Sequence, residues 1–235
     1  MKMTHICYDI ETTGADDSVL DALTPEFSAP SNYTKPEAIK KYIDAAIESW
    51  KDKAALSAIT GKILCIGLSE NFNACVLDGD GDEASLLREF WSHLDSVKEE
   101  TAGAFVAFGY NTHSFDLPMI CRRSWLNGVT IPAWIRRGRY FHDAFLDLRE
   151  IWQLGDRNES TGGLNGLAKA FGCGEKLGSG KHFGKLWTED REAAIAYVTK
   201  DIELTEQLAL RMGVIHPRSQ EPVITEATEP DDLDY

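Results

Sequence analysis

The sequence predicts an α/β domain whose mixed β-sheet is covered by helices on both faces. Three β-prone segments come first, at 4–10, 63–68 and 74–77, and the short turn between the last two favours an antiparallel pair. A fourth apolar segment, 104–108, then alternates with helical segments. Antiparallel strands followed by alternating strands and helices are typical of a mixed sheet between two helical layers.

The helices of these two layers are predicted mainly from apolar residues that recur at helical spacing. The clearest case is 83–97, where Leu86, Phe90 and Leu94 fall on one face. Further helices are predicted at 116–126, 144–154, 163–171 and 189–212. The last of these is the longest.

Residues 15–61 interrupt the order of strands and form an insertion after the first strand. A capping box of Thr34 and Glu37, with Pro36 inside it, predicts the start of a helix there. Its apolar residues lie along one face, so the insertion is either a decoration packed on the core or a lid or partner surface. Residues 217–235 contain three prolines and end in DDLDY, which predicts a disordered acidic tail. We therefore expect one domain over 1–216, followed by this tail.

Composition excludes several classes of protein. The 38 Asp and Glu residues against 24 Lys and Arg give a net charge of -14, which argues against holding nucleic acid by bulk positive charge. Metal ions and a local basic surface can still attract a polyanion. The five cysteines are widely spaced and form no CxxC pair, so no disulfide framework or zinc knuckle is indicated. Without a signal peptide or a membrane-spanning apolar stretch, we expect a soluble cytoplasmic protein.

A first pair of carboxylates lies in the first strand. Asp9 and Glu11 are two residues apart, so both side chains leave the same face of the strand and can meet at one cation. Thr12, Thr13 and Gly14 follow, where the backbone can approach a ligand closely. A solvated strand end would also explain the two acids.

Two further segments carry acidic residues at structural junctions. GYNTHSFDLPMI, at 109–120, lies between the fourth strand and a helix, where Ser114 or Asp116 could simply cap that helix. Tyr197 and Asp201 are four residues apart and share one face of the long helix, which a half-buried Tyr and a surface Asp would equally explain. Each segment alone favours the structural explanation.

Together and in this order, DIETTG, GYNxxxFDLP and YxxxDxxxT resemble the three exonuclease motifs of the DnaQ-like (DEDD) 3'-5' exonuclease superfamily. The Asn and FDLP of the second motif make the chain most similar to stand-alone relatives of the family B DNA polymerase proofreading domain. The resemblance covers about residues 4–212 and implies a ribonuclease H-like fold with a five-stranded mixed sheet. Because Tyr197 stands four residues before Asp201, the chain looks like the DEDDy subclass.

The resemblance also implies a mechanism with two Mg²⁺ or Mn²⁺ ions, since hard oxygen ligands suit these metals. It implies that Asp9 bridges both ions, that Glu11 and Asp201 hold the ion that activates water, and that Asp116 holds the other. Tyr197 would orient the attacking water. Glu11 and the backbone near Thr12 and Thr13 would contact the terminal 3'-hydroxyl.

A basic surface for the substrate is predicted after the second motif. Residues 117–142 contain no acid but five arginines, interleaved with Trp125, Trp134 and Tyr140. A second acid-poor stretch, 162–188, holds four lysines in a Gly-rich setting and is either a flexible surface loop or a strand clamp. The predicted substrate-binding residues are Thr12, Thr13, Asn111, Phe115, Arg136, Arg137, Arg139 and Lys181.

The sequence therefore predicts a metal-dependent 3'-5' exonuclease on single-stranded DNA. The same chemistry on RNA 3' ends stays open, because discrimination of the ribose depends on few contacts. A non-catalytic nucleic-acid-binding or scaffold module of the same fold is the alternative from another class. Since 235 residues hold no polymerase domain, we expect a proofreading, repair or recombination role to need a protein partner, docked on the insertion or the acidic tail.

Overall fold

The computed structural model describes residues 3–136, 144–156, 158–159, 163–178, 180 and 183–216. Its centre is a five-stranded sheet in the order β3-β2-β1-β4-β5. β1 pairs antiparallel with β2 and parallel with β4, which confirms the mixed sheet. The strands are β1 (Thr4–Gly14), β2 (Gly61–Glu70), β3 (Asn73–Leu77), β4 (Phe105–Gly109) and β5 (Phe145–Asp147).

Eight α-helices are described, and they cover both faces of the sheet. They are α1 (Asp17–Leu23), α2 (Pro36–Lys51), α3 (Glu83–Glu100), α4 (Asp116–Leu126), α5 (Leu148–Gln153), α6 (Gly163–Ala170), α7 (Phe183–Glu189) and α8 (Arg191–Arg211). None of them is long and apolar enough to cross a membrane.

The alternation of side chains along β1 separates two hydrophobic cores. Ile6, Tyr8 and Ile10 are buried with residues of α3 and α4 on one face of the sheet. Cys7 faces the other way and is buried with Ile202 and other residues of α8. A two-residue period therefore sends Asp9 and Glu11 to the face that α8 covers.

Two sequence predictions of secondary structure are wrong in part. Residues 144–154 do not form one helix, because β5 occupies Phe145–Asp147 and α5 begins only at Leu148. β5 has three residues and pairs in parallel with β4, so its stability comes from that pairing and not from a recognisable local pattern. The Gly-rich stretch 162–188, which the sequence indicates as a flexible surface loop or a strand clamp, contains the helix α7. Phe183 anchors it, since its side chain is 2% exposed.

The insertion contains two helices and a 3₁₀ turn at Ala54–Leu56. α2 begins at Pro36, one residue later than the predicted capping box requires, so the capping box does not form: the N-cap residue is Lys35, and its side chain does not cap the helix. Thr34 lies one residue too early to reach the first turn. The end of the insertion is fixed to β1, because the Thr12 hydroxyl donates a hydrogen bond to the carbonyl oxygen of Ala55 (2.9 Å).

Candidate active site

The close approach of α8 to the sheet brings the first and third motifs together. Gly67 of β2 pairs with Asp9 in the sheet. A Cβ atom at this position would lie 2.6 Å from Val198 Cγ1 and 2.9 Å from Ile202 Cγ1, so only glycine allows the observed packing. The Asp201 side chain, 1% exposed, is thereby held against β1.

Three of the predicted site carboxylates lie close together in the structure. Ligand oxygens of Asp9, Glu11 and Asp201 all lie within 4.8 Å of one another. Asp201 Oδ2 lies 2.5 Å from the Lys176 ammonium, and no backbone N–H of the described residues donates to the Asp201 carboxylate. A buried carboxylate is costly without a positive charge beside it, and a metal ion can supply that charge as the lysine does.

Asp116 completes this group from the start of α4. It is the first residue of the helix, the N-cap position belongs to Phe115, and no side chain caps the helix, so the capping explanation is wrong. Instead, Asp116 Oδ1 accepts a hydrogen bond from the backbone N–H of Ile10 (3.0 Å). Its carboxyl group also lies near that of Asp9, and each of these two acids influences the pKa of the other. Since β1 and β4 are parallel, their carboxyl ends meet at one edge, which places the second motif beside the first.

The crowding of buried acids raises their proton affinity. Burial, followed by the charge of Asp201, raises the pKa of Asp9 to about 6. Burial, followed by the charges of Asp9 and Asp201, raises the pKa of Glu11 to about 9. Burial and then the neighbouring Asp9 also raise the pKa of Asp116 well above its ordinary value. Such a group retains protons until another cation replaces them.

Lys176 is a functional candidate that sequence reasoning missed. Its Nζ lies 2.5 Å from Asp201 Oδ2 and 5.4 Å from the centroid of the Tyr197 ring. Burial lowers the pKa of Lys176, but the Asp201 carboxylate outweighs burial and raises it overall, so the ammonium stays charged. The sequence places this lysine only in an acid-poor, Gly-rich stretch, and no local pattern says which way its side chain points.

Tyr197 lies where the third motif predicts, on the face of α8 that carries Asp201. Its side chain is packed with Phe183 of α7, with ring centroids 5.7 Å apart. Burial, followed by the charge of Asp201, raises the pKa of Tyr197, so the phenol is neutral at physiological pH. A neutral hydroxyl can orient a water molecule but cannot deprotonate it.

Two cavities adjoin at this site. The first, which we call the Asn111 cavity, has a volume of about 540 Å³ and is lined by all three carboxylates of β1 and α4, together with Asn111, Phe115, Arg149 and Lys176. The second, the Thr13 cavity, has about 680 Å³ and is lined by Thr12 and Thr13, by Lys53 and Leu56 of the insertion, and by α7. Ile10, Glu11 and Phe115 line both. The insertion therefore forms one wall beside the carboxylates.

The predicted basic surface is placed only in part. Arg136 is exposed and lines neither cavity, whereas Arg137, Arg139 and Lys181 lie outside the described residues. Arg123, from the same acid-free stretch, is not available to a substrate, since its guanidinium bonds the Glu83 carboxylate and the carbonyl oxygen of Ala58.

Trp134 of that stretch also has a structural role. Its indole N–H donates to Asp95 (2.6 Å), and its ring packs edge-on against Phe105. Trp125 is 60% exposed, so a role in stacking on bases stays a prediction for this residue.

A second group of potential metal ligands lies beside the Asn111 cavity. Ligand atoms of His113, Asp147 and Glu150 also lie within 4.8 Å of one another. Here, however, the Asp147 carboxylate accepts backbone N–H groups of Asn111 (2.9 Å), His113 (3.0 Å) and Arg149 (2.9 Å). Asp147 therefore serves to fix the backbone around the second motif.

Comparison with known proteins gives a family and a fold. A family model described as a predicted 3'-5' exonuclease related to the exonuclease domain of PolB matches residues 56–227, more than half of the chain. The family B DNA polymerase from the hyperthermophilic archaeon Pyrobaculum calidifontis has a similar structure, with a TM-score of 0.58 and 16% identity. That match covers 90% of this chain and 25% of the polymerase chain, so this chain spans about a quarter of its length. A comparison with curated protein sequences finds no match.

Proposed function

This chain belongs to the family of predicted 3'-5' exonucleases related to the exonuclease domain of PolB, and we propose that it hydrolyses single-stranded DNA from the 3' end. The single observation that carries the proposal is the convergence of Asp9, Glu11 and Asp201 within 4.8 Å. The family match begins at residue 56, after β1. The geometry of β1 is therefore independent support, because the fold itself brings Asp9 and Glu11 to Asp201.

The donor set fits two Mg²⁺ or Mn²⁺ ions. Carboxylate oxygens are the hard ligands that these metals prefer, and the fold brings three of them, from Asp9, Glu11 and Asp201, within 4.8 Å of one another. We propose Asp9, Glu11, Asp116 and Asp201 as the ligands. When bound, the ions would stabilise negative charge on the phosphoryl oxygens and lower the pKa of the attacking water.

The remaining residues would bind and orient the substrate. In this proposal the Tyr197 hydroxyl positions the attacking water, and the Lys176 ammonium faces the same charge that builds up during hydrolysis. The terminal 3'-hydroxyl would contact Glu11, Thr12 and Thr13, which places the last nucleotide in the Thr13 cavity. A cavity of about 680 Å³ is large enough for a small ligand of this size.

Binding at this site is compatible with the net charge of -14. The buried carboxylates account for part of that charge, and divalent cations would offset it locally. Residues 217–235 add six acids against one Arg, at a distance in sequence from the motifs. We therefore propose 1–216 as the catalytic unit and expect weak, salt-sensitive engagement of a strand end.

The proposal is tested with 5'-labelled single-stranded DNA, duplex DNA and RNA, each incubated with Mg²⁺ or with Mn²⁺. We expect single-stranded DNA to shorten from its 3' end in one-nucleotide steps. In Asp9→Asn and Asp201→Asn the rate should fall about 1,000-fold or more, because each change removes a ligand charge that the transition state requires.

Glu203→Gln is the matched control, since this exposed carboxylate lies on the same helix as Asp201 and should leave the rate unchanged. Faster degradation of RNA than of DNA would move the assignment to an exoribonuclease. Failure of the intact protein to degrade any substrate would favour the non-catalytic module. Docking of a protein partner on the insertion or on 217–235 stays a prediction.

A further inference from the structure

Arg149 lies at the start of α5 and lines the Asn111 cavity together with Asp9 and Asp116. It belongs to none of the three motifs. Its Nη1 donates a hydrogen bond to Asn111 Oδ1 (2.5 Å), so the guanidinium and the amide of the second motif form one unit. A positive side chain therefore faces a cavity whose other charged lining residues are mostly acids.

Buried Asp147 holds this unit in place. Its Oδ1 accepts the backbone N–H groups of both Asn111 and Arg149, each at 2.9 Å. Asn111 has a φ of +62°, a left-handed conformation that is uncommon for residues other than glycine. The carboxylate at the end of β5 stabilises that conformation and fixes the backbone of Arg149 in the same way. Asn111 and Arg149 are thus pre-organised before any ligand arrives.

The guanidinium of Arg149 has unused donor capacity. Its Nε is buried and has no hydrogen-bond partner among the described residues. Among the described residues, no carboxylate forms a salt bridge with Arg149, whereas Arg123 and Lys176 each form one. A buried N–H without an acceptor is destabilising, so this geometry favours a ligand that brings acceptor oxygens. Planar guanidinium groups bind phosphate oxygens at two points, which makes phosphate the matching chemistry.

We propose that Arg149, with Asn111 at its side, binds the phosphate on the 5' side of the scissile linkage. This inference rests on the proposed function and adds a substrate contact to the same site. If the last nucleotide occupies the Thr13 cavity, the rest of the strand passes through the adjoining Asn111 cavity. The phosphate held there belongs to the strand that remains after cleavage, and its contact sets the register of the scissile bond without reading sequence.

The test compares two oligothymidylates that differ at one linkage. One is all phosphodiester, and in the other a neutral methylphosphonate replaces the linkage immediately 5' to the scissile bond. The intact protein should cleave the neutral oligonucleotide with a kcat/KM about 10-fold lower, as expected for loss of one charge-assisted contact. In Arg149→Met the two substrates should be cleaved with the same kcat/KM, because the partner of the missing charge is gone.

Arg88→Met is the matched control, since Arg88 is exposed on α3 and pairs with Asp82; it should keep the 10-fold difference. Arg149→Lys retains the positive charge and should keep part of the difference in kcat/KM between the two oligonucleotides. Melting curves show whether the variants are folded. A full difference in Arg149→Met, or none in the intact protein, overturns the proposal. If no oligonucleotide is cleaved, the proposed function fails. Fluorescence anisotropy titrations of the same two oligonucleotides then test the phosphate contact of Arg149 by itself. The proposal for Arg149 is overturned if the intact protein and Arg149→Met discriminate equally between the two oligonucleotides.

Discussion

Two acidic clusters lie close together in this protein and differ in what the carboxylates already bind. The oxygens of Asp147 accept three backbone N–H groups, and its neighbour His113 bonds Glu150 through Nδ1 (2.8 Å). In the cluster of Asp9, Glu11 and Asp201, no backbone N–H of the described residues donates to Asp201, whose Oδ2 instead lies 2.5 Å from the Lys176 ammonium. Both clusters bring potential ligands within 4.8 Å, so proximity alone does not identify a metal site.

Hydrogen bonds from the backbone therefore distinguish the structural carboxylate of Asp147 from the carboxylates that crowd together in the other cluster. A buried acid that the backbone satisfies is stabilised in its charged form and contributes to the fold. A buried acid beside other acids has its charge opposed by burial and repulsion, so it destabilises the fold until a proton or a cation binds. Three measurements should separate the two clusters.

The largest effect is expected from removing Asp147. Asp147→Ala leaves three backbone N–H groups without their acceptor, and the free energy of unfolding should fall by about 3 kcal/mol. Asp9→Asn should leave the stability of the metal-free protein unchanged or higher, because it removes a repelling charge. Urea denaturation measures the free energy of unfolding of both variants.

Glu150→Gln is the control, since the Glu150 side chain is 55% exposed and its contact with His113 should contribute less than about 1 kcal/mol. A destabilised Asp9→Asn with a stable Asp147→Ala would reverse the comparison.

Metal binding should distinguish the clusters next. At an Mg²⁺ or Mn²⁺ concentration 100 times the dissociation constant, stabilisation is about 2.7 kcal/mol, which raises the melting temperature by about 5–10 °C for a chain of this size. We expect this shift in the intact protein and in His113→Ala, and its loss in Asp9→Ala. Differential scanning calorimetry provides the measurement. A shift in melting temperature that persists in Asp9→Ala and disappears in His113→Ala would show that the metal binds at the cluster of His113, Asp147 and Glu150, against our proposal.

The effect per step is smallest for the pH dependence of stability from Glu11, because it is spread over several pH units. Its pKa rises from 4.5 to about 9 on folding, so the folded state binds the proton more tightly than the unfolded state. Stability from this group is complete below pH 4.5 and declines as the pH rises toward 9, by at most about 1.4 kcal/mol per unit.

Glu11→Gln should therefore flatten the decline in metal-free buffer, whereas Glu99→Gln, at an exposed position of α3, should follow the intact protein. Denaturation midpoints between pH 5 and 9 give the comparison. Identical profiles for Glu11→Gln and the intact protein would show that Glu11 is not held in a proton-binding cluster.

Much of the fold could be predicted because its signals are local. α4 occupies Asp116–Leu126 as the spacing indicates, and the antiparallel pair of β2 and β3 follows from two apolar segments and their turn. β5 could not be predicted, since three residues carry no period and their strand conformation depends on pairing with β4. The start of α2 shows a different kind of error. The residues of a capping box are present at Thr34 and Glu37, but the helix begins one residue later than this capping box requires.

From the amino-acid sequence, spacing predicts that Asp9 and Glu11 share one face of a strand and that Tyr197 and Asp201 share one face of a helix. The resemblance of the three motifs to the DEDD exonucleases joins these four residues and Asp116 into one candidate site. Three further features depend on tertiary packing: Lys176 contacts Asp201, Asp147 accepts backbone N–H groups, and Arg149 lines the Asn111 cavity. These three roles depend on contacts between segments far apart in the chain. The physical reason is that a local pattern determines the direction of a side chain relative to its own backbone, whereas the partner it meets depends on how the elements pack.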